Sequence, residues 1–249
     1  MTNFYFLGAG RPHSGDVHTA LRAINNSSKV IDWNLNAISF LKPICHFVCG
    51  YQAEDIINLH PNLIYIENKE WETTKAGWSF LTALSNMHEN ALVSYSDIVF
   101  RESTIEKIIE SNGDITITVD SHWRSRYAGR AFEDLDKCEK VCLSQSKVKL
   151  LGSQVDSDLA NAEFIGLVNF SKKAIEELKK IKSEFSLDNA TLKQANLSDL
   201  VELLRVRGLK VNAIDVYGDW AQLNEAQDLA KFILGTKAQT LSNLKKMIR

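Results

Sequence analysis

Short apolar runs alternate with longer amphipathic stretches along the first half of the chain. The short runs are rich in β-branched and aromatic residues, which is typical of strands, whereas the longer stretches have the apolar spacing of helices. We predict strands at Asn3–Leu7, Ile44–Cys49, Asn62–Ile66, Ala91–Tyr95 and Ile115–Val119, and helices at Val30–Leu41, Ala53–Leu59, Trp78–Met87 and Ser103–Glu110. This alternation predicts βαβ units and a mostly parallel sheet buried on both faces.

The second half of the chain has a less regular order of elements. We predict strands at Val148–Leu151, Glu163–Phe170 and Leu209–Val216, and helices at Lys172–Lys182, Leu197–Val206 and Ala226–Ile233. No Gly/Ser-rich linker or internal repeat interrupts the pattern. We therefore expect one α/β domain over residues 1–233, with a mostly parallel mixed sheet flanked by helices, and a C-terminal helical tail over residues 234–249.

The net charge and the lengths of the apolar runs indicate which classes of binding partner the chain is unsuited to. The 249 residues carry a net charge of -2, which argues against a nucleic-acid binder that neutralises many phosphates. No apolar run is long enough to span a bilayer, and the N-terminus lacks the features of a secretion signal. We expect a cytoplasmic protein with no nucleic-acid or membrane partner. Its four cysteines are expected to be reduced thiols in a cytosol. A zinc site is the alternative, which the three-residue gaps within each cysteine pair do not favour.

The first strand runs into the turn Leu7-Gly8-Ala9-Gly10-Arg11. Small residues after a strand let backbone N–H groups approach a phosphate or a base closely. The turn has no third glycine for a dinucleotide fingerprint and no Gly-Lys-Ser/Thr ending for a P-loop. A tight turn without a ligand is the alternative.

Two aspartates are candidate magnesium ligands. Asp97 follows the apolar strand Ala91–Tyr95, and Asp219 lies in a Gly-Asp turn after Leu209–Val216. Magnesium takes one or two protein carboxylates together with phosphate oxygens and water. The alternatives are a helix cap or turn residue for Asp97 and a simple turn for Asp219.

The segment Val119 to Arg130 holds three arginines and two large aromatic residues after a predicted strand. Guanidinium groups match phosphate and phosphonate oxygens, and aromatic faces hold ammonium groups or bases. The alternative is a solvated basic helix. The chain has no Gly-x-Ser-x-Gly elbow, so nothing indicates catalysis by a side-chain nucleophile.

The order of these features resembles the nucleotidyltransferase superfamily with a glycosyltransferase-A-like fold, from about Phe4 to about Phe232. Its members include sugar-phosphate nucleotidyltransferases and the cytidylyltransferases for phosphocholine and phosphonates. The matching segments are Leu7-Gly8-Ala9-Gly10-Arg11, Val48-Cys49-Gly50-Tyr51, Gly77-Trp78-Ser79, Tyr95-Ser96-Asp97, Glu163-Phe164-Ile165-Gly166 and Gly218-Asp219-Trp220. Residues Val119 to Tyr127 and Glu139-Lys140-Val141 are most similar to the cytidylyltransferases of phosphonate and related pathways.

The resemblance implies a magnesium-dependent enzyme that moves CMP from CTP, or another nucleotide from its NTP, to a small phosphorylated or phosphonate acceptor. The implied catalytic residues are Asp97, Arg11 and Lys75, and the implied magnesium ligands are Asp97 and Asp219. The implied nucleotide-binding residues are Leu7, Gly8, Ala9, Gly10, Arg11, Gly50, Tyr51, Ser79 and Ser96. The implied acceptor-binding residues are Asp120, Trp123, Arg124, Arg126, Tyr127, Arg130 and Glu163.

Two departures from the family pattern leave alternatives open. Relatives carry a lysine that stabilises the triphosphate where this chain has Thr19, and many carry an acid where it has Gln222. Arg11, Arg22 or Lys75 would have to replace the lysine. The alternatives are a sugar-1-phosphate nucleotidyltransferase, a glycosyltransferase, which would normally show Asp-x-Asp, and a nucleotide-binding domain without catalysis.

The tail from Leu234 to Leu244 also resembles the opening of phosphoenolpyruvate-synthase-type kinase modules. It suggests a fused or partner kinase-type module, and a plain amphipathic helix is the alternative.

Overall fold

A mixed sheet of nine strands forms the centre of the fold. The structure is a computed structural model that describes residues 2–12, 15–127, 135–136, 138–185, 190–223, 229–230 and 232–235. The sheet strands are β1 Asn3–Leu7, β4 Ile44–Cys49, β5 Ile64–Glu67, β6 Ala91–Tyr95, β8 Ile115–Asp120, β9 Lys140–Ser144, β10 Lys147–Gly152, β11 Ala162–Phe170 and β12 Val211–Asp215. Four short strands pair outside it, β2 Ala23–Asn25 with β3 Ser28–Lys29 and β7 Ile98–Val99 with β13 Ala221–Gln222.

Helices cover both faces of this sheet. They are α1 Val30–Ile38, α2 Ala53–Leu59, α3 Ala76–Ala83, α4 Glu102–Glu110, α5 Trp123–Arg126, α6 Lys172–Glu184, α7 Ala190–Lys193 and α8 Leu197–Val206. Short 3₁₀ turns lie at Thr19–Leu21, Ser39–Leu41, Trp71–Thr73 and Leu84–Asn86. None of the helices in the described ranges has both the length and the apolar character that crossing a bilayer requires.

The strand order sets where a ligand can bind. The order is β5-β4-β1-β6-β11-β8-β12-β10-β9, and β10 and β11 run against the other strands. Strands β4, β1 and β6 are parallel neighbours, so Leu7 pairs with both Val48 and Tyr95. The carboxyl ends of these strands therefore meet at one edge of the sheet, where α/β folds bind ligands.

Alternation along β1 divides its side chains between two cores. Phe4 and Phe6 pack on one face, whereas Tyr5 and Leu7 pack on the other. The first face is covered by residues of α1, α2 and α4, including Ile31, Ile56 and Ile105, and the second by residues of α3, α6 and α8, including Phe80, Ile175 and Leu200. Burial on both faces explains why the strand is a continuous apolar run.

Most of the predicted elements are present, with shifted ends. The helix predicted at Trp78–Met87 begins at Ala76 and ends at Ala83, followed by a 3₁₀ turn, and the helix predicted at Val30–Leu41 likewise ends in a 3₁₀ turn. The strand predicted at Asn62–Ile66 is Ile64–Glu67, and the strand predicted at Ile115–Val119 extends to Asp120. The mixed sheet flanked by helices confirms the predicted fold class.

Strand β9 and the short strands were not predicted. Strand β9 begins with Lys140, which is 2% exposed. A charged residue at a buried position interrupts the apolar pattern by which a strand is identified. The helix predicted at Ala226–Ile233 lies partly outside the described residues, and residues 229–230 and 232–233 are helical. Residues 236–249 of the predicted tail lie outside them, so the boundary at residue 233 stays a prediction.

Candidate active site

A cavity of about 330 Å³ opens at the carboxyl ends of β1 and β6. Of the predicted nucleotide-binding and catalytic residues, all except Gly50 and Tyr51 line it. The lining residues are Leu7, Gly8, Ala9, Gly10, Arg11, Pro12, Thr19, Trp71, Thr74, Lys75, Ala76, Ser79, Tyr95, Ser96, Asp97, Glu139, Asn196 and Gln222. The fold thus brings together residues from both halves of the chain.

The turn at Gly8 is packed too closely for any larger residue. A Cβ atom at Gly8 would lie 2.3 Å from Cζ of Phe47 and 2.9 Å from Oγ of Ser96. The Gly8 N–H donates to the Val48 carbonyl at 2.9 Å, and the Ser96 N–H donates to the Leu7 carbonyl at 3.1 Å. These contacts hold the turn between the ends of β4 and β6.

Gly50 and Tyr51 support the turn from behind rather than lining the cavity. The Tyr51 N–H donates to the Ala9 carbonyl at 2.9 Å. A Cβ atom at Gly50 would lie 2.6 Å from Trp71 and 2.7 Å from the same carbonyl. The guanidinium carbon of Arg11 lies 5.6 Å from the centre of the Tyr51 ring. These two residues therefore help to position the turn.

Asp97 lies at the cavity wall beside Gln222. The Gln222 amide donates to Oδ2 of Asp97 at 3.0 Å, and the Leu223 N–H donates to the Asp97 carbonyl at 2.9 Å. Burial raises the pKa of the Asp97 carboxyl, and the Gln222 hydrogen bond and the nearby Arg22 charge partly offset this shift. The pairing of β13 with β7 sets this contact, since Gln222 lies opposite Ile98.

The residues around Asp97 fit a magnesium ion that is held mainly by phosphate. Among the described residues, no group of three or more His, Cys, Asp or Glu side chains could hold a metal. Asp97 would supply one hard oxygen ligand, and magnesium often takes only one or two carboxylates with phosphate oxygens and water. The half-buried Asp97 carboxyl, whose pKa is raised, would also gain from a nearby positive charge.

The structure places Asp219 away from this wall. Asp219 is not among the cavity-lining residues, and both of its carboxylate oxygens accept from Nε of Arg101, at 2.7 and 2.6 Å. Arg101 is 9% exposed, so its buried charge requires this partner. Gln222, three residues further on, lies against Asp97 instead. Asp219 and Asp97 are therefore not brought together as two metal ligands.

A second wall comes from the start of α3. Lys75 precedes this helix, and its N–H donates to the Lys193 carbonyl at 2.9 Å. The Gly77 N–H donates to the Ala195 carbonyl at 3.0 Å, so the segment that carries Asn196 is fixed to the same helix end. Ser79 is 5% exposed, and its hydroxyl accepts from Nδ2 of Asn68 at 3.1 Å.

Glu139 is a cavity residue that was not assigned to the site from the sequence. Its carboxylate accepts from the Tyr95 hydroxyl at 2.7 Å and from the Ser198 N–H, at the start of α8, at 3.2 Å. Burial raises the pKa of Glu139, and these hydrogen bonds partly offset it. The sequence signal that could have identified Glu139 is its position next to Lys140, in a segment that is similar to the cytidylyltransferases. The partners that turn it toward the cavity come from distant parts of the chain.

Those of the predicted acceptor residues that the structure describes form a separate cluster that does not line the cavity. Asp120 is fully buried and accepts from the Trp220 indole at 2.9 Å and from the His122 N–H at 2.8 Å. Trp123 is 1% exposed. Arg124 donates to the carbonyls of Ser157 and Ala160. These side chains hold the end of β8 in place.

The other described residues of the cluster make a hydrogen bond and a cation–π contact. The Tyr127 hydroxyl donates to Glu163 at 2.5 Å, and the guanidinium carbon of Arg126 lies 3.7 Å from the centre of the Trp220 ring. Glu163 is 5% exposed, and burial raises its pKa to about 7. Arg130 lies outside the described residues. The described residues of this cluster do not line the cavity, so the cavity does not support a direct role for them in acceptor binding.

Comparison with known proteins agrees with this geometry. No protein-family model matches the chain. A curated relative, CTP:phosphoglutamine cytidylyltransferase of Campylobacter jejuni subsp. jejuni serotype O:2, is 22% identical over an alignment of 218 residues, and the match covers 82% of this chain and 86% of the relative.

Solved structures of nucleotidyltransferases share the fold. The inositol-1-phosphate CTP transferase from T. maritima matches with a TM-score of 0.66 and 19% identity, over 92% of this chain and 91% of that one. HddC from Yersinia pseudotuberculosis, complexed with GMP-PN, matches with a TM-score of 0.63 and 16% identity, over 93% and 97%. The fold is thus that of the nucleotide-diphospho-sugar transferases, and the predicted resemblance to nucleotidyltransferases, cytidylyltransferases among them, is confirmed.

Proposed function

We propose that the chain is a nucleotidyltransferase that transfers CMP from CTP to a small phosphorylated or phosphonate acceptor and releases pyrophosphate. The observation that supports this most directly is the convergence of the turn Leu7 to Arg11, Lys75 and Asp97 on one cavity. The curated relative is a cytidylyltransferase by name, which favours CTP over other nucleotides and a phosphorylated acceptor.

The reaction needs positioning and positive charge more than a protein nucleophile. The glycine turn holds the nucleotide, and Arg11 provides positive charge against the triphosphate. An oxygen of the acceptor's phosphate or phosphonate attacks the α-phosphorus. The bond from that phosphorus to the bridging oxygen of the β-phosphate breaks, and pyrophosphate leaves with the electron pair. Asp97 would hold a magnesium ion, which would supply positive charge against the triphosphate and the leaving pyrophosphate.

We assign the acceptor to the polar cavity residues that lie outside the glycine turn and the Asp97 wall. These are Thr74, Lys75, Glu139 and Asn196. Lys75 suits the acceptor's phosphate or phosphonate, and Glu139 suits a hydrogen-bond donor elsewhere on the acceptor. This assignment replaces the arginine-rich segment after β8, whose described arginines contact the protein itself. Arg124 donates to the carbonyls of Ser157 and Ala160, and Arg126 lies over the Trp220 ring.

Two lining residues favour a second candidate, a nucleotide-binding domain without catalysis. Thr19 and Gln222 are neutral at the positions where nucleotidyltransferases resembling this chain carry a lysine and an acid. A site with fewer charges binds a nucleotide but stabilises the transition state less.

Pyrophosphate release with magnesium distinguishes these functions. Each of the four NTPs is tested against phosphocholine, aminoethylphosphonate, phosphorylated amino acids and sugar 1-phosphates, and nucleotide binding is measured separately. We expect release with CTP and one small acceptor that carries a phosphate or phosphonate. Release only with a sugar 1-phosphate would make the chain a sugar-1-phosphate nucleotidyltransferase. Binding without release from any pair would favour the non-catalytic domain.

A further inference from the structure

A buried histidine that the proposed reaction does not use touches the glycine turn. His18 is 1% exposed. Its Nε2 lies 2.7 Å from the Gly8 carbonyl oxygen, and its Nδ1 accepts from the Ala20 N–H at 3.1 Å. Its ring centre lies 5.8 Å from that of Phe47, the same side chain that limits space at Gly8. His18 therefore links the turn to the 3₁₀ segment Thr19–Leu21.

These two contacts define the state of the imidazole. Because Nδ1 accepts from a backbone N–H, it carries no proton, and Nε2 must be the nitrogen that donates to the Gly8 carbonyl. The ring is therefore neutral. Burial lowers the pKa of His18, with smaller opposing effects of the Gly8 carbonyl and of Asp55.

The contact with the Gly8 carbonyl also orients the next N–H group. No peptide bond among the described residues is cis. In a trans peptide the carbonyl and the following N–H point in opposite directions. Since the Gly8 carbonyl faces His18, the Ala9 N–H is directed away from it. The Ala9 carbonyl already accepts from Tyr51, so the N–H is the backbone group of Ala9 that this turn can offer to a ligand.

We propose that His18 is a positioning residue that fixes the Gly8–Ala9 peptide so that the Ala9 N–H donates to the bound nucleotide. The inference rests on the proposed function for the identity of the ligand. The contact of His18 with Gly8 stands independently of it. His18 touches no reacting atom, and its effect is on nucleotide affinity.

Two variants separate the two contacts of His18. His18→Asn keeps a short side-chain oxygen that can accept from the Ala20 N–H, as an N-cap residue does, but it cannot reach Gly8. His18→Gln has a longer side chain whose amide can donate to the Gly8 carbonyl in place of Nε2. Asparagine thus preserves the cap of the 3₁₀ segment, and glutamine preserves the contact with the turn.

The experiment measures the Kd of CTP with magnesium by calorimetry on the full chain, alongside thermal unfolding of each variant. We expect His18→Asn to weaken CTP binding about tenfold, the loss of about one hydrogen bond. We expect the Kd of CTP for His18→Gln to stay within about threefold of that for the parent chain. This expectation holds whichever of the two variants has the lower unfolding temperature. Equal affinities for the two variants, or weaker binding by His18→Gln, would overturn the inference, because affinity would not follow the Gly8 contact.

Amide hydrogen exchange over residues 8–11 provides a readout without nucleotide. His18→Asn is expected to exchange faster there than His18→Gln, and the same rate in both would contradict the role of His18. If the parent chain binds none of the four NTPs, the proposed function fails, and the exchange comparison still decides whether His18 fixes the turn.

Discussion

One methyl group at residue 8 is enough to test the geometry of the glycine turn. Gly8→Ala places a carbon 2.3 Å from the Phe47 ring, so the turn must move or the strand ends must separate. We expect a loss of about 1–3 kcal/mol in the free energy of unfolding and CTP binding weakened by about tenfold or more. Urea unfolding and calorimetry with CTP measure the two effects.

Gly10 provides the matched control in the same turn. A Cβ atom at Gly10 meets nothing within 4 Å, so Gly10→Ala is expected to change the free energy of unfolding by less than about 0.5 kcal/mol. Equal losses for the two variants would mean that the turn is sensitive to any side chain, rather than to contact with Phe47.

At the scale of elements, Arg101 connects three parts of the chain. It precedes α4, its Nε pairs with Asp219 before β13, and its Nη2 donates to the Phe232 carbonyl at 3.0 Å. Its guanidinium carbon also lies 4.1 Å from the centre of the Phe232 ring. This cluster supports the strand that carries Gln222 to Asp97. We therefore expect Asp219 to affect the site through β13 rather than as a metal ligand.

Two aspartate variants test this division of roles. Asp97→Asn is expected to lower kcat/KM for pyrophosphate release about 100-fold or more, because it removes the proposed magnesium ligand. Asp219→Asn is expected to keep activity within about threefold. It should lose about 1–2 kcal/mol of unfolding free energy, since Arg101 loses its charged partner and Asp219 is itself partly exposed. Pyrophosphate release over a magnesium titration and urea unfolding measure the outcome. Magnesium dependence altered by Asp219→Asn, at unchanged stability, would restore Asp219 as a ligand.

Local sequence patterns identified some of the residues that line the cavity. The turn after β1 and Asp97 after β6 each follow the end of a predicted strand, whereas Lys75 was named through the family resemblance, and the structure brings all three to one cavity. Glu139 and Asn196 depend on pairings with distant segments, which a local pattern cannot show. Arg124 and Arg126 after β8 indicated a ligand because their charge is visible in the sequence, whereas their contacts with Ser157, Ala160 and Trp220 are not.

At the scale of the whole molecule, buried acids make stability depend on pH. The pKa of Glu163 is raised from its ordinary value of 4.5 to about 7 by burial, so folding favours its protonated form. This contribution to stability is fully present below pH 4.5 and is lost as pH rises through 7. Burial lowers the pKa values of His18, His46 and His60, and these groups act in the opposite direction below pH 6.5.

The Glu163→Gln variant separates the effect of the Glu163 carboxyl on stability from the effect of the histidines, because the parent chain and the variant have the same histidines. From about pH 8 to about pH 5.5, the parent chain should gain about 2 kcal/mol of unfolding free energy relative to Glu163→Gln, because only the parent takes up the proton. Urea unfolding of both proteins at the two pH values, without nucleotide, measures this difference. A constant difference between them would show that the Glu163 pKa is not raised.

The residues that line the cavity range along the chain from Leu7 to Gln222, and this affects how the protein folds during its synthesis. Strands β1, β4 and β6 are consecutive in the sheet and parallel, so each pairing must wait for an intervening crossover. The wall at Asp97 must also wait for β13. Long-range pairings of this kind form slowly. A nascent chain on the ribosome would therefore hold no complete nucleotide site until nearly all of these residues had emerged. Because CTP would stabilise only the fully assembled fold, it would favour the last step of folding and leave the earlier ones unchanged.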